Sequence, residues 1–329
     1  MMSRQADRRP AKIVFLDRET LAPEVTLTEF AFPHELITFD RTSPQETSER
    51  IRDADVVITN KVKVSADALA NASRLSLIAV AATGTDVIDL KTCESRGIVV
   101  VNVRDYAVHT VPEHTFALIL ALRRSLLPYC NSVRAGRWQD AKQFCYFDYP
   151  IRDLAGSTLG IIGDGVLGRA VAEIARGFSL KTLFSTYKGQ QGMGPLYTPF
   201  EDVLRQSDII TLHCPLLPST RNLIGKAEFA MMERRPILIN TARGGLVDER
   251  ALVDAMTGGQ ISGAAFDVAT SEPPPADHPL NRLMSLPNFI LTPHIAWASR
   301  EAMQALTDQL VETVNLFWQD RPRHLVRAN

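Results

Sequence analysis

Three polar residues in the second half of the chain each follow a short apolar run. Arg243 comes after ILIN, within Asn240-Thr241-Ala242-Arg243-Gly244-Gly245. Glu272 comes after AAFDV, within the stretch from Asp267 to Pro273, and His294 after FILT, within Thr292-Pro293-His294-Ile295. If the runs are strands of a parallel sheet, all three residues lie at carboxyl ends, where α/β sheets place their ligands. An imidazole, a carboxylate and a guanidinium at one sheet edge suit the reduction of a carbonyl. Hydride addition creates an alkoxide that needs a proton, and a histidinium can donate it. A neighbouring carboxylate keeps that histidine charged and correctly turned. A guanidinium fork grips a substrate carboxylate and polarises its carbonyl. Taken singly, each residue has an ordinary explanation: a surface ion pair, a solvated acid before a proline run, a scaffold histidine. Taken together beside a nucleotide-binding turn, they read as a catalytic set.

That turn is Gly163-Asp164-Gly165-Val166-Leu167-Gly168, a GxGxxG pattern. Alone the pattern is weak. Here it follows the strand-like TLGII directly and opens a helical pattern that runs to about Gly177. Gly163 permits the tight turn, Gly165 lets a pyrophosphate approach the backbone, and Gly168 lets helix and strand pack closely. The helix N-terminus adds free N–H groups and partial positive charge. The spacing therefore predicts a dinucleotide site. Its ribose reader belongs at the end of the next strand, where the sequence is Leu183-Phe184-Ser185-Thr186-Tyr187-Lys188. Thr186 takes the place where a carboxylate would accept from the ribose hydroxyls, and Lys188 is close enough in sequence to neutralise a 2′-phosphate. NAD(H) and NADP(H) both stay open. Asp164 inside the turn would repel phosphates, so its side chain is expected to face solvent.

The elements that must position these groups alternate strand and helix almost throughout. Lys12–Asp17, Val56–Thr59, Leu77–Val80 and Val99–Asn102 form one strand series. Leu159–Ile162, Lys181–Thr186, Ile209–Leu212, Ile237–Asn240, Ala264–Val268 and Phe289–Thr292 form a second. Runs that are apolar on both faces call for a parallel sheet covered on both sides. Ser43-Pro44-Gln45-Glu46 and Thr198-Pro199-Phe200-Glu201 read as capping boxes with proline at the first helical position. Asp248 caps a helix that Gly258-Gly259 stops, and a long amphipathic helix runs from about Ser299 to Trp318.

Composition narrows the function classes. The chain has 329 residues, 45% apolar and 22% charged, which is ordinary for a globular protein of about two domains. Thirty-six basic residues against 37 acidic ones leave a formal charge of −1, so nucleic acid is not an expected partner. The seven-residue apolar run Phe116–Leu122 is far short of the roughly 20 residues that cross a bilayer. The basic N-terminal stretch MMSRQADRRPAK has no apolar segment behind it, so no signal peptide is expected. Cys93, Cys130, Cys145 and Cys214 show no CxxC pairing and read as free thiols in a reducing cytoplasm. No metal site is expected, because His109 and His114 are five residues apart and share no helix face well.

These motifs resemble the D-isomer-specific 2-hydroxyacid dehydrogenases, closest to the glycerate dehydrogenase/hydroxypyruvate reductase branch. The resemblance runs from about residue 50 to 318. It is carried by Ala82-Thr83-Gly84-Thr85-Asp86, Val111-Pro112-Glu113-His114-Thr115, Leu159–Gly168, His213-Cys214-Pro215, Asn240–Gly245, Asp267–Glu272 and Thr292–His294. The stretch from Gln143 to Ile151 is similar to the glycerate-type branch in particular. The resemblance implies an α/β fold of two Rossmann-like doubly wound parallel-sheet domains with a cleft between them. The substrate domain would be discontinuous, 1–107 plus 297–329, and the dinucleotide-binding domain would span 108–296. It implies Arg243, Glu272 and His294 as the catalytic set, with Arg243 also binding substrate. Backbone N–H groups around Thr83 and Gly84 would bind the substrate carboxylate. Asp267 would hold the nicotinamide carboxamide, and Val166, Leu167, Cys214, Thr241 and Ala242 would line the cofactor site beside Gly163, Gly165, Gly168 and Thr186. A homodimer joined through about 108–155 is implied as well.

The reaction expected is hydride transfer between NAD(P)H and a small 2-oxo acid, such as hydroxypyruvate or glyoxylate. Two other readings use the same fold. A formate dehydrogenase-like enzyme releases no hydroxyl proton and would not need Glu272 beside His294. A nucleotide-sensing corepressor would bind partners and turn over slowly.

Overall fold

Short β-branched runs separated by helices give two sheets. The structure, a computed structural model, describes residues 9–190 and 192–328, so most of the basic N-terminal stretch considered for a signal peptide lies outside the described residues. The chain divides into two units. One holds the chain up to Ala107 together with the segment from Ala298 on, and the other holds Val108–Trp297.

The first unit has strands β1 (Ala11–Phe15), β2 (His34–Thr38), β3 (Val56–Thr59), β4 (Leu77–Val80) and β5 (Val99–Asn102). The second has β6 (Thr158–Ile162), β7 (Lys181–Ser185), β8 (Tyr197–Thr198), β9 (Ile209–Leu212), β10 (Ile237–Asn240), β11 (Gly263–Phe266) and β12 (Phe289–Leu291). β13 (Leu325–Val326) returns to the first sheet, whose order is β13-β5-β4-β3-β1-β2, and it pairs antiparallel with β5 while the rest are parallel.

The second sheet is ordered β12-β11-β10-β9-β6-β7-β8 and is parallel throughout. Its chain runs outward from β6 to β8 and then crosses back to β9. The switch point therefore lies between β6 and β9, where a doubly wound sheet opens a ligand crevice. Side-chain alternation fills both faces. Ile209, Ile237 and Ile239 join the layer packed under Phe116, Ile119 and Val171, while Ile210, Leu212 and Leu238 join the opposite layer with Phe200, Phe229 and Leu252. Burial on both faces explains why these strands read as continuous apolar runs.

Two local expectations need correction. The helix Phe200–Gln206 does start after Thr198-Pro199, but no capping box forms there. Thr198 is held in β8, Pro199 is the N-cap with no side-chain cap, and the Phe200 N–H donates instead to Thr186 Oγ1 at 3.1 Å. At Ser43 the expected box is present. The second correction concerns Asp164. Its side chain is 24% exposed and does not stand in solvent. It accepts a short hydrogen bond from the Tyr197 hydroxyl, and Arg169 lies 3.6 Å from the same oxygen. The Tyr197 phenol is pushed up, mainly by that hydrogen bond. Its partner on β8 is 33 residues away in sequence, which the turn's own residues could not announce.

Candidate active site

β10, β11 and β12 are neighbours in register, with Asn240 opposite Phe266 and Phe266 opposite Leu291. The loops carrying Arg243, Glu272 and His294 therefore leave one edge of one sheet at the same level. Of these side chains, His294 and Glu272 meet: His294 Nδ1 lies 2.6 Å from Glu272 Oε2. The other carboxylate oxygen, Oε1, accepts the Ala269 N–H at 3.0 Å, so the acid is anchored in its own turn. His294 sits at φ 56°, a left-handed conformation that a non-glycine residue adopts only under local constraint.

The constraint on His294 is Asp267. Its carboxylate is 1% exposed and accepts from the Thr292 hydroxyl at 2.5 Å, the Ile295 N–H at 2.9 Å and the Ala296 N–H at 2.8 Å. Asp267 thus clamps the loop on both sides of His294. Trp297 adds its indole N–H to the His294 carbonyl at 2.9 Å.

Arg243 leaves a turn shaped by Asn240, which is fully buried. The Asn240 amide donates to the Arg243 carbonyl at 2.8 Å and its oxygen accepts the Ala242 N–H at 3.1 Å. The Arg243 guanidinium donates to the Ala242 carbonyl at 2.7 Å. Gly244 then passes backbone against backbone over the Glu272 loop. A Cβ there would stand 2.0 Å from the Ala269 carbonyl oxygen and 2.6 Å from the Thr270 nitrogen. This close approach joins the Arg243 and Glu272 loops, and sequence reasoning did not single it out. Thr241, behind the same turn, shares a buried hydroxyl contact of 3.0 Å with Thr115.

The glycine turn fits a dinucleotide. Gly163 has φ 111°, and a Cβ there would meet the His213–Cys214 backbone within 2.6–2.7 Å across the switch point. A Cβ on Gly168 would meet the Gly163 carbonyl at 2.0 Å, whereas Gly165 opens on free space. Among the described residues, nothing accepts the N–H groups of Gly165, Val166 and Leu167. Open backbone with unused donors at the start of the helix Val166–Gly177 is what a pyrophosphate requires. At the ribose end, Thr186 is 5% exposed and its hydroxyl oxygen is engaged by Phe200. Lys188 pairs with Glu228 at 2.7 Å.

Cys214 is partly buried, and burial pushes its thiol up to about 11. His213 beside it bonds Thr211 Oγ1 through Nε2 at 2.9 Å, while its Nδ1 is shut off from solvent with no partner among the described residues. Burial pushes this imidazole from 6.5 down to about 4. Between those values the unfolded chain takes up a proton that the folded state refuses. This contribution to stability is therefore whole above about pH 6.5 and is lost as the pH falls toward 4. Urea midpoints should drop between pH 7.5 and 5, and drop less in His213→Gln. Identical pH dependence in the two proteins would refute the point.

Thr83 and Gly84 belong to the other unit, in the turn after β4. The Thr83 hydroxyl donates to the Val103 carbonyl at 2.9 Å and the Asn102 amide donates to the Thr83 carbonyl at 2.7 Å. Their own N–H groups find no acceptor among the described residues, which leaves two backbone donors unused in this turn. Among the described residues, no three His, Cys, Asp or Glu side chains are grouped to hold a metal ion.

A doubly wound unit with this turn, and with an imidazole–carboxylate pair on the same sheet edge, defines a nicotinamide-dependent oxidoreductase. Residues 116–296 match the model of the D-isomer specific 2-hydroxyacid dehydrogenase NAD-binding domain. The chain is 52% identical over 318 residues to the glycerate dehydrogenase of Methylorubrum extorquens, covering 96% of this chain and 99% of that one. Among solved structures it is similar to an acyclic imino acid reductase in complex with NADPH and D-Arg, with 27% identity, a TM-score of 0.82, and 96% and 99% of the two chains covered. It is also similar to D-lactate dehydrogenase from Aquifex aeolicus complexed with NAD and lactic acid, with 26% identity, a TM-score of 0.80 and coverage of 94% and 96%. The chain belongs to the D-isomer specific 2-hydroxyacid dehydrogenase family and is an NAD(P)-linked dehydrogenase.

Proposed function

We propose that the protein reduces hydroxypyruvate and glyoxylate to D-glycerate and glycolate. The observation that carries this reading is the 2.6 Å contact between His294 Nδ1 and Glu272 Oε2 at the sheet edge that also bears Arg243. The resemblance to a glycerate dehydrogenase supports the substrate class. When bound, NAD(P)H supplies the hydride. The N–H groups of Gly165, Val166 and Leu167 would hold its pyrophosphate at the helix start.

Each residue then has a physical task. With Nδ1 engaged by Glu272, His294 gives up the proton on Nε2 to the oxygen that becomes the hydroxyl. Glu272 keeps the imidazole turned for that transfer through its 2.6 Å contact with Nδ1. The Arg243 guanidinium holds the substrate carboxylate in a fork, which a lysine could not reproduce. In the other unit, the unused donors of Thr83 and Gly84 are suited to a carboxylate. In the oxidative direction the same imidazole takes the proton back.

The test is a kinetic matrix of NADH and NADPH against hydroxypyruvate, glyoxylate and pyruvate. Turnover is expected with the first two acids. Negligible turnover with all three would favour a nucleotide-sensing binding protein instead.

The protein is further proposed to be a cytoplasmic homodimer, with no nucleic acid partner. Phe144 is 87% exposed and Phe147 81% exposed, which are large apolar surfaces for a monomer to leave in water. Sedimentation at monomer mass would sink the dimer. No helix among the described residues is long and apolar enough to cross a membrane.

A further inference from the structure

Beneath the Glu272 turn lies a buried acid–imidazole pair for which the proposed proton transfer has no use. The Glu249 and His278 side chains are each 5% exposed, and His278 Nε2 lies 3.1 Å from Glu249 Oε2. His278 Nδ1 accepts the Leu280 N–H at 3.4 Å, so the ring proton sits on Nε2, whose hydrogen-bond partner is Thr270 Oγ1 at 3.1 Å. Glu249 also takes both donors of Thr270: the N–H at 2.8 Å on Oε1 and the hydroxyl at 2.6 Å on Oε2. Thr270 stands two residues before Glu272.

Burying a carboxylate is costly unless it is fully hydrogen-bonded, and an apolar pair would fill the same space at less cost. What the hydrogen-bonded arrangement adds is direction. Glu249 is the first residue of the helix Glu249–Thr257, capped by Asp248, so its backbone is fixed. From there it pulls the Thr270 backbone down, while Gly244 presses on Ala269 and Thr270 from the other loop. The Ala269 N–H that anchors Glu272 Oε1 is part of this gripped segment.

We propose that Glu249 and His278 are positioning residues: through Thr270 they fix the turn that aims the Glu272 carboxylate at His294. The proposal rests on the catalytic reading of Glu272 given above. Glu249→Gln should lower kcat about tenfold, the size typical of lost supporting hydrogen bonds around a site. The NADH dissociation constant, read by fluorescence quenching, should stay unchanged. His278→Gln, which keeps a donor toward the Thr270 hydroxyl, should retain most of the activity that His278→Leu loses.

The deciding measurement is a double-mutant cycle. If Glu249 acts through Glu272, the tenfold loss disappears in a Glu272→Gln background. Equal losses in both backgrounds overturn the proposal, leaving Glu249 a general stabiliser. If Glu272→Gln alone leaves kcat intact, the catalytic reading fails instead, and the two failures are told apart. Should Glu249→Gln not fold, Thr270→Val deletes only the hydroxyl donor and enters the same cycle.

Discussion

Replacing His294 with alanine should lower kcat for 2-oxo acid reduction by about 10² to 10⁴, the usual contribution of a positioned general acid. The loss should appear in kcat with little change in cofactor affinity, because the glycine turn is on the other side of β9 and β10 in the sheet. Alanine also adopts the left-handed conformation at this position, φ 56°, less readily than histidine does, so some of its effect will be conformational. His294→Asn separates the two causes. Asparagine adopts that conformation readily but cannot carry the proton. It should retain the alanine variant's catalytic defect while restoring stability. Near-normal rates in the asparagine variant would show that His294 is not the acid.

The second large effect is expected at Gly244. A methyl group there would overlap the Ala269 carbonyl carbon at 2.1 Å and its oxygen at 2.0 Å. Both are backbone atoms and cannot swing aside, so the two loops must separate. Overpacking of this kind costs about 1–3 kcal/mol or more, and the displacement falls on the turn that holds Glu272. Gly244→Ala should lower the melting temperature and reduce kcat/KM by about 10²-fold, the order expected when a catalytic group moves by about an ångström. Gly165→Ala is the contrast, because its Cβ would meet nothing within 4 Å. It should melt normally and weaken cofactor binding. A Gly244→Ala enzyme with full activity would mean that contact between the loops does not matter for the site.

These two positions also show what the sequence makes legible. His294 is visible because it follows an apolar run, and such runs mark strands most clearly where both faces are buried. For the same reason β3, β4, β5, β9 and β10 fall where the residue types put them. β2 does not, because His34–Thr38 is an edge strand with two exposed charged or apolar positions on a half-polar pattern. β13 is two residues long and owes its existence to pairing with β5, more than 200 residues earlier. Gly244 is written in the sequence as half of a Gly-Gly pair, but its partner is the backbone of Ala269, which has no side-chain signature. Asp164 fails for a related reason: only the fold brings Tyr197 to it. Glu249 and His278 look like an ordinary helix-start acid and a histidine before proline. Their burial against each other appears only once the sheet has set the spacing.

The way the chain divides has an evolutionary corollary. Arg243, Glu272, His294 and the glycine turn all travel within Val108–Trp297, whereas Thr83 and Gly84 come from the segment that precedes it. The residues proposed for proton transfer and coenzyme binding thus share one contiguous stretch of chain. A change confined to the flanking segments would leave that stretch, and the proposed proton-transfer pair within it, unaltered in sequence.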